Sequence, residues 1–180
     1  MKTSKLLLSL GAGLLASGAL YAALRPQPAP LPTVSSVDLA RYAGTWHEIA
    51  SFPQRFQRGC QCTTAQYTLK EGYVEVRNTC RKNGKRTGIT GKAFAVEGSH
   101  NAKLKVQFFW PLRGDYWILG LASDYSHALV GTPDRKSLWI LARATTLPAP
   151  IYRQLVQQAQ QLGFDTALLQ KTDQSCKEEQ

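Results

Sequence analysis

Lys103-Leu104-Lys105-Val106-Gln107-Phe108 is the stretch on which the reading of the fold turns. Successive side chains of an extended chain point to opposite sides. Leu104, Val106 and Phe108 therefore share one face, and Lys103, Lys105 and Gln107 share the other. An apolar face opposite a charged one is the mark of an antiparallel sheet with one side on a core and one in water. The same reading extends in both directions. Short runs rich in Val, Ile, Tyr, Phe and Trp cover 44–52, 61–69, 73–81, 87–96, 103–109, 115–122, 126–131 and 137–143. Turn residues separate them. Lys70-Glu71-Gly72 and Asn83-Gly84 read as hairpin turns, as do Pro111-Leu112-Arg113-Gly114 and Thr132-Pro133-Asp134-Arg135. Sequential hairpins give an up-and-down order. Eight such strands close into an antiparallel β-barrel, which removes exposed edges and leaves an interior able to hold one small ligand. The expected fold class is all-β.

The period changes after the last strand. Ile151, Leu155, Val156, Ala159 and Leu162 form an apolar stripe at helical spacing, with Pro150 in the first turn and Gly163 at the end. This predicts a C-terminal α-helix packed on the barrel wall.

The front of the chain is different again. Lys2 and Lys5 precede an uncharged run from Leu6 to Leu24, with small residues Ala16, Ser17, Gly18 and Ala19 near its end. Residues 1–24 read as a secretory signal peptide, or as an uncleaved N-terminal membrane anchor. Residues 25–36, with Pro26, Pro28, Pro30 and Pro32, read as a Pro-rich spacer, and 37–180 as the folded domain. The expected location is the periplasm, or the inner-membrane surface if the leader stays. No Cys precedes Cys60, so acylation at a Cys behind the leader is not expected. Cys60, Cys62, Cys80 and Cys176 form an even set behind a secretory leader, which reads as two disulfides in one of three connectivities. Cys60-Gln61-Cys62 lacks the spacing of common zinc sites and has no adjacent His. Neither a metal nor a cofactor is expected.

Gly44-Thr45-Trp46-His47-Glu48-Ile49-Ala50, then Tyr116-Trp117-Ile118-Leu119 with Ser123-Asp124-Tyr125, then Leu138-Trp139-Ile140-Leu141-Ala142-Arg143 stand in order along the chain. In sequence and spacing they resemble the three short motifs of the lipocalin family, and most closely its bacterial and apolipoprotein D-like members. The resemblance covers Val37 to Cys176. It implies that Trp46, following Gly44, sits at the closed base with Arg143 packed across it, and that Asp124 and Tyr125 close a turn at the same end. It implies a cavity lined by Tyr67, Val106, Phe108, Tyr116, Ile118 and Trp139. Relatives tie the start of the second strand to the C-terminal tail. This implies Cys62–Cys176 and leaves Cys60–Cys80.

The implied function is binding, storage or transport of a fatty acid, lysophospholipid or similar amphiphile in the cell envelope. The competing readings are an envelope protein-interaction module and a lipid-modifying enzyme. The sequence offers no Gly-x-Ser-x-Gly elbow and no His-Glu-x-x-His, and Gly88-Ile89-Thr90-Gly91-Lys92 is too short for a P-loop. His47, His100 and His127 are scattered, so catalysis is not expected. The formal net charge is +10. A secretory leader argues against nucleic acid, and the charge instead points to an anionic head group. Loops at the open end would carry Arg55, Arg58, Arg81, Arg86 and Arg113 as a basic mouth. Phe109-Trp110-Pro111-Leu112 would form an apolar tip there, able to touch a membrane surface transiently.

Overall fold

The computed structural model describes residues 30–176, so the leader, residues 25–29 of the spacer and residues 177–180 lie outside the described residues. Eight antiparallel strands follow one another: β1 (Gly44–Ser51), β2 (Cys60–Lys70), β3 (Tyr73–Lys82), β4 (Lys85–Ala95), β5 (Lys103–Phe109), β6 (Leu112–Leu121), β7 (His127–Gly131) and β8 (Leu138–Ala142). Each pairs with the next, and β1 pairs with both β8 and β2, which closes the barrel. A four-residue helix, α1 (Leu39–Tyr42), precedes β1, started by Asp38, whose carboxylate accepts from the Ala40 amide at 2.8 Å. Helix α2 (Ala149–Gln161) follows β8, and a two-residue strand, β9 (Gln170–Lys171), ends the sheet.

Alternation along each strand produces two apolar layers. Inside the barrel lie Trp46, Tyr67, Val76, Ala93, Leu104, Ile118, Val130 and Leu141. Between the outer wall and α2 lie Ala50, Leu119, Leu129, Leu138 and Ile140, which meet Leu155 and Ala159 of the helix. Gly131 allows close approach there: a Cβ on it would come within 2.7 Å of the Phe164 ring.

Three boundaries differ from the sequence reading, each for a physical reason. The folded unit begins before residue 37. Leu31 is buried in the layer under α2, and the Val34 amide donates to the Ile118 carbonyl at 3.0 Å. Two of the open-end turns are shorter than expected. Asn83 and Gly84, with φ of 52° and 75°, suffice to turn β3 into β4. Trp110 and Pro111 turn β5 into β6. Arg81, Arg86, Leu112 and Arg113 are therefore strand residues, not loop residues. Finally, β1 pairs with β2 only from Gly44 to His47 and then diverges, and β9 takes up Ala50 and Ser51. Gln174 bridges the opening, its Nε2 donating to the carbonyls of Glu48 (2.8 Å) and Thr63 (3.0 Å).

Candidate functional site

The base of the barrel is sealed. Trp46 has no exposed surface, and its Nε1 donates to the Tyr42 carbonyl at 2.8 Å. The Arg143 guanidinium lies 4.0 Å from the Trp46 ring centroid, a cation–π contact. It also donates to the carbonyls of Thr45 (2.8 Å), Arg41 (2.8 Å) and Ala43 (2.9 Å). Gly44 is needed at this point, since its φ is +96° and a Cβ would stand 3.2 Å from Arg143 Nη1. Tyr125 receives the Asp38 amide on its hydroxyl at 3.0 Å, and the Asp124 carboxylate accepts from the Ser126 amide at 3.0 Å. Those Ser126 hydrogen bonds hold the Asp124 carboxyl below its ordinary pKa.

Above this plug is a cavity of about 430 Å³. Val76, Val106, Phe108, Trp139 and Leu141 supply apolar walls, and Phe109, Leu112, Gln54 and Gln57 stand toward the open end. Tyr67 and Tyr116 form the floor. The Tyr67 hydroxyl donates to that of Tyr116 at 2.9 Å, and Tyr42, immediately beneath, is 2.8 Å from the same oxygen. Burial pushes the Tyr67 phenol up to about 12 and raises those of Tyr42 and Tyr116 well above their ordinary value. The floor and the residue beneath it thus form a cluster of three neutral phenols in an apolar setting.

Of the residues expected at the cavity, Tyr67, Val106, Phe108, Tyr116 and Trp139 line it together. Ile118 does not. It is fully buried in the interior layer and is absent from the cavity wall. The expected basic mouth is corrected more heavily. Arg81 and Arg86 pair across β3 and β4 and border a groove beside Cys62 and Cys176, together with His47, Thr79 and Thr145. This follows from parity: Val76 and Asn78 line the cavity, so Arg77, Thr79 and Arg81 face outward. Arg113 stands on the rim, but its guanidinium lies 4.5 Å from the centroid of Phe94, whose neighbour Ala93 is the inward residue. Arg55 and Arg58 border an adjoining groove near the gap between β1 and β2.

Glu48, Asn78 and Gln57 are among the polar residues of the cavity that the sequence reading missed. Glu48 is 6% exposed and accepts from Thr172 Oγ1 (2.6 Å), Ser51 Oγ (3.1 Å) and Gln57 Nε2 (3.0 Å). It shares the inward parity of Trp46, a signal that could have found it. Asn78 shares the parity of Val76, and its Oδ1 is buried without a partner. Gln57 has no such signal, because it lies in a short 3₁₀ turn (Arg55–Gln57) between β1 and β2, where strand parity does not apply. Cys60 is joined to Cys80 and Cys62 to Cys176. All four cysteines are thereby used, and no metal-holding cluster occurs among the described residues.

Comparison with known proteins agrees with this architecture. The profile of the lipocalin-like domain matches residues 37–174. Temperature-induced lipocalin-1 of Arabidopsis thaliana is 43% identical over 155 residues, covering 81% of this chain and 83% of the plant protein. Outer membrane lipoprotein Blc of Escherichia coli is 38% identical over 143 residues, 78% of this chain and 81% of its own. Apolipoprotein D of Macaca fascicularis is 33% identical over 159 residues, 82% of each. Among solved structures, insecticyanin from the tobacco hornworm superposes with a TM-score of 0.63 over 82% of this chain and 87% of its own; at 23% identity it shares the fold.

Proposed function

Because the chain belongs to the lipocalin family, whose members bind small hydrophobic ligands, we propose that it carries a fatty acid or lysophospholipid in the cell envelope, without catalysis. The observation that carries this reading is the 430 Å³ cavity with apolar walls, closed below by Trp46 and open above. A volume of that size suits one slender chain. Burial of each CH₂ contributes about 0.8 kcal/mol, so a long tail supplies ample gross driving force before the costs of association. The head stays at the open end, where Arg113 stands on the rim and Arg55 and Arg58 flank it. Their pull on an anionic head is modest and salt-sensitive, since all three are exposed.

Two features support envelope placement and brief membrane contact. Both disulfides belong to an oxidising compartment. At the β5–β6 tip, Phe109 is 67% exposed, Trp110 87% and Leu112 73%, and Phe109 and Leu112 also line the cavity. An apolar tip at the entrance can rest on a lipid surface while a chain enters.

Native mass spectrometry of the exported protein, with lipid extraction, tests the reading. A co-purifying single-chain lipid, lost in Trp139→Glu, is the expected result. Consistent absence of any lipid, together with failure of a fluorescent fatty acid to bind, would replace the carrier with a protein-interaction module.

A further inference from the structure

The cavity floor owns more hydrogen-bond donors than the protein satisfies. Tyr42, Tyr67 and Tyr116 have three O–H groups, and two contacts join their oxygens, at 2.8 and 2.9 Å. Each contact uses one proton, so one proton remains outside the cluster. Tyr67 gives its proton to Tyr116. If Tyr116 then donated to Tyr42, the spare proton would sit on Tyr42, a 1% exposed residue beneath the floor, packed 4.9 Å from the Trp46 ring and not among the cavity-lining residues. A donor stranded there is costly. The favourable arrangement has Tyr42 and Tyr67 both donating to Tyr116. That leaves the Tyr116 proton, polarised by two donors, to the cavity it lines.

A second unmet group lies nearer the mouth, on β3, the strand beside Tyr67. Val76 pairs with Tyr67 and Asn78 pairs with Ala65, so Asn78 is two residues nearer the mouth, about 7 Å along the strand. Its Oδ1 is buried with no partner, and it lines the cavity. A plain hydrocarbon chain would bury both groups unmet. A hydroxyl beside Asn78 answers either orientation of the amide.

We propose that the cavity selects acyl chains oxygenated toward the methyl end, with a carbonyl or hydroxyl oxygen accepting from Tyr116 and a hydroxyl favoured beside Asn78. This rests on the acyl-chain reading above and sets the orientation, because the oxygenated end enters first. Neutral oxygens are selected. The floor offers neutral donors, and Arg143 beneath it is already engaged by backbone carbonyls.

The test is displacement of a fluorescent fatty acid from the full chain by acids of one length. One is plain, one carries an oxo or hydroxyl group near the methyl end, and one carries the same group beside the carboxylate. The first oxygenated acid should outcompete the other two by about tenfold or more, the order expected for a buried polar group regaining its partner. In Tyr116→Phe that preference should collapse while the plain acid binds at least as tightly. In Asn78→Leu the hydroxyl acid should lose ground relative to the oxo acid. An unchanged far-ultraviolet circular dichroism spectrum and a cooperative thermal transition show that each variant is folded. Equal affinity of the three acids for the native chain overturns the proposal, since retained water would then satisfy the floor. So does a preference that survives in both variants. Binding of the probe that no acid displaces removes the acyl-chain reading and this proposal with it.

Discussion

Two tryptophans mark the two ends of the barrel, and they are held in opposite ways. Trp46, at the base, has no exposed surface and is clamped between Tyr42 and Arg143. Trp110, at the β5–β6 tip, is 87% exposed. The base is closed by packing and by one guanidinium spread over several carbonyls. Toward the mouth end, where β2 begins and β3 ends, the chain is tied by Cys60–Cys80 and Cys62–Cys176. Noncovalent closure needs desolvation, because hydrogen bonds and cation–π contacts are worth most where water is excluded. An end that must admit a ligand cannot be dry, so covalent ties are the means left to it.

Substitution at the two tryptophans gives the largest contrast. Trp46→Ala removes a fully buried ring and should cost about 3–5 kcal/mol, whereas Trp110→Ala should stay within about 0.5 kcal/mol. Urea denaturation measures both. Equal losses would mean that Trp110 folds back as a structural lid, and the contrast between the ends would fall.

The covalent tie should come next. Cys62–Cys176 closes a separation of 114 residues, and replacing both by Ser should cost about 2–5 kcal/mol, chiefly by freeing the unfolded chain. Probe binding to the still-folded variant should change little. A stability loss below about 1 kcal/mol would show that the C-terminal segment is held by Gln174 and Thr172 instead.

Where base and cavity meet, the tyrosines give a pH signature. The Tyr67 phenol is raised from 10.0 to about 12 by burial, and Tyr42 and Tyr116 are raised too. Above pH 10 the unfolded chain loses these protons while the folded chain keeps them. Stability is therefore full below about pH 10 and falls as pH rises toward 12. Tyr67 alone corresponds to about 2–3 kcal/mol across that window. Thermal unfolding scans should show the decline, and Tyr67→Phe should flatten it. A native chain as stable at pH 11.5 as at pH 9 would show that the floor is open to bulk water.

The base was legible in the sequence because its partners are encoded by short motifs whose contacts are local to one turn of the barrel. Gly44, Trp46, Tyr125 and Arg143 each meet another motif residue or its neighbour. The apolar walls were legible because inward parity, together with the family resemblance, places Val106, Phe108 and Trp139. The mouth was not. Its charges were assigned by loop membership, and two of its turns, 83–84 and 110–111, proved to be two residues long. Once Arg81 and Arg86 belong to strands, parity sends them to the outer wall. Arg113 is drawn outward by the Phe94 ring. Glu48 and Asn78 went unseen because an inward polar residue breaks the apolar pattern by which inward positions were recognised.

That outer wall supplies the smallest effect and the finest test of the contrast. Arg81 stands directly opposite Arg86, and Lys82 opposite Lys85, at the end of the β3–β4 hairpin. Like charges in register across a strand pair are destabilising by a fraction of a kcal/mol. A hairpin stabilised only by its own contacts has no reason to keep them. Arg86→Glu should therefore raise stability by about 0.2–1 kcal/mol at low salt, and the gain should shrink as salt screens the pair. If the base and the mouth are independent, Arg86→Glu and Trp46→Ala should add within about 0.5 kcal/mol in the double variant. Loss of stability in Arg86→Glu alone would mean that the arginine is held in the groove beside Cys62 and His47 by contacts stronger than its repulsion from Arg81. The mouth would then be ordered by its outer wall as well as by its disulfides.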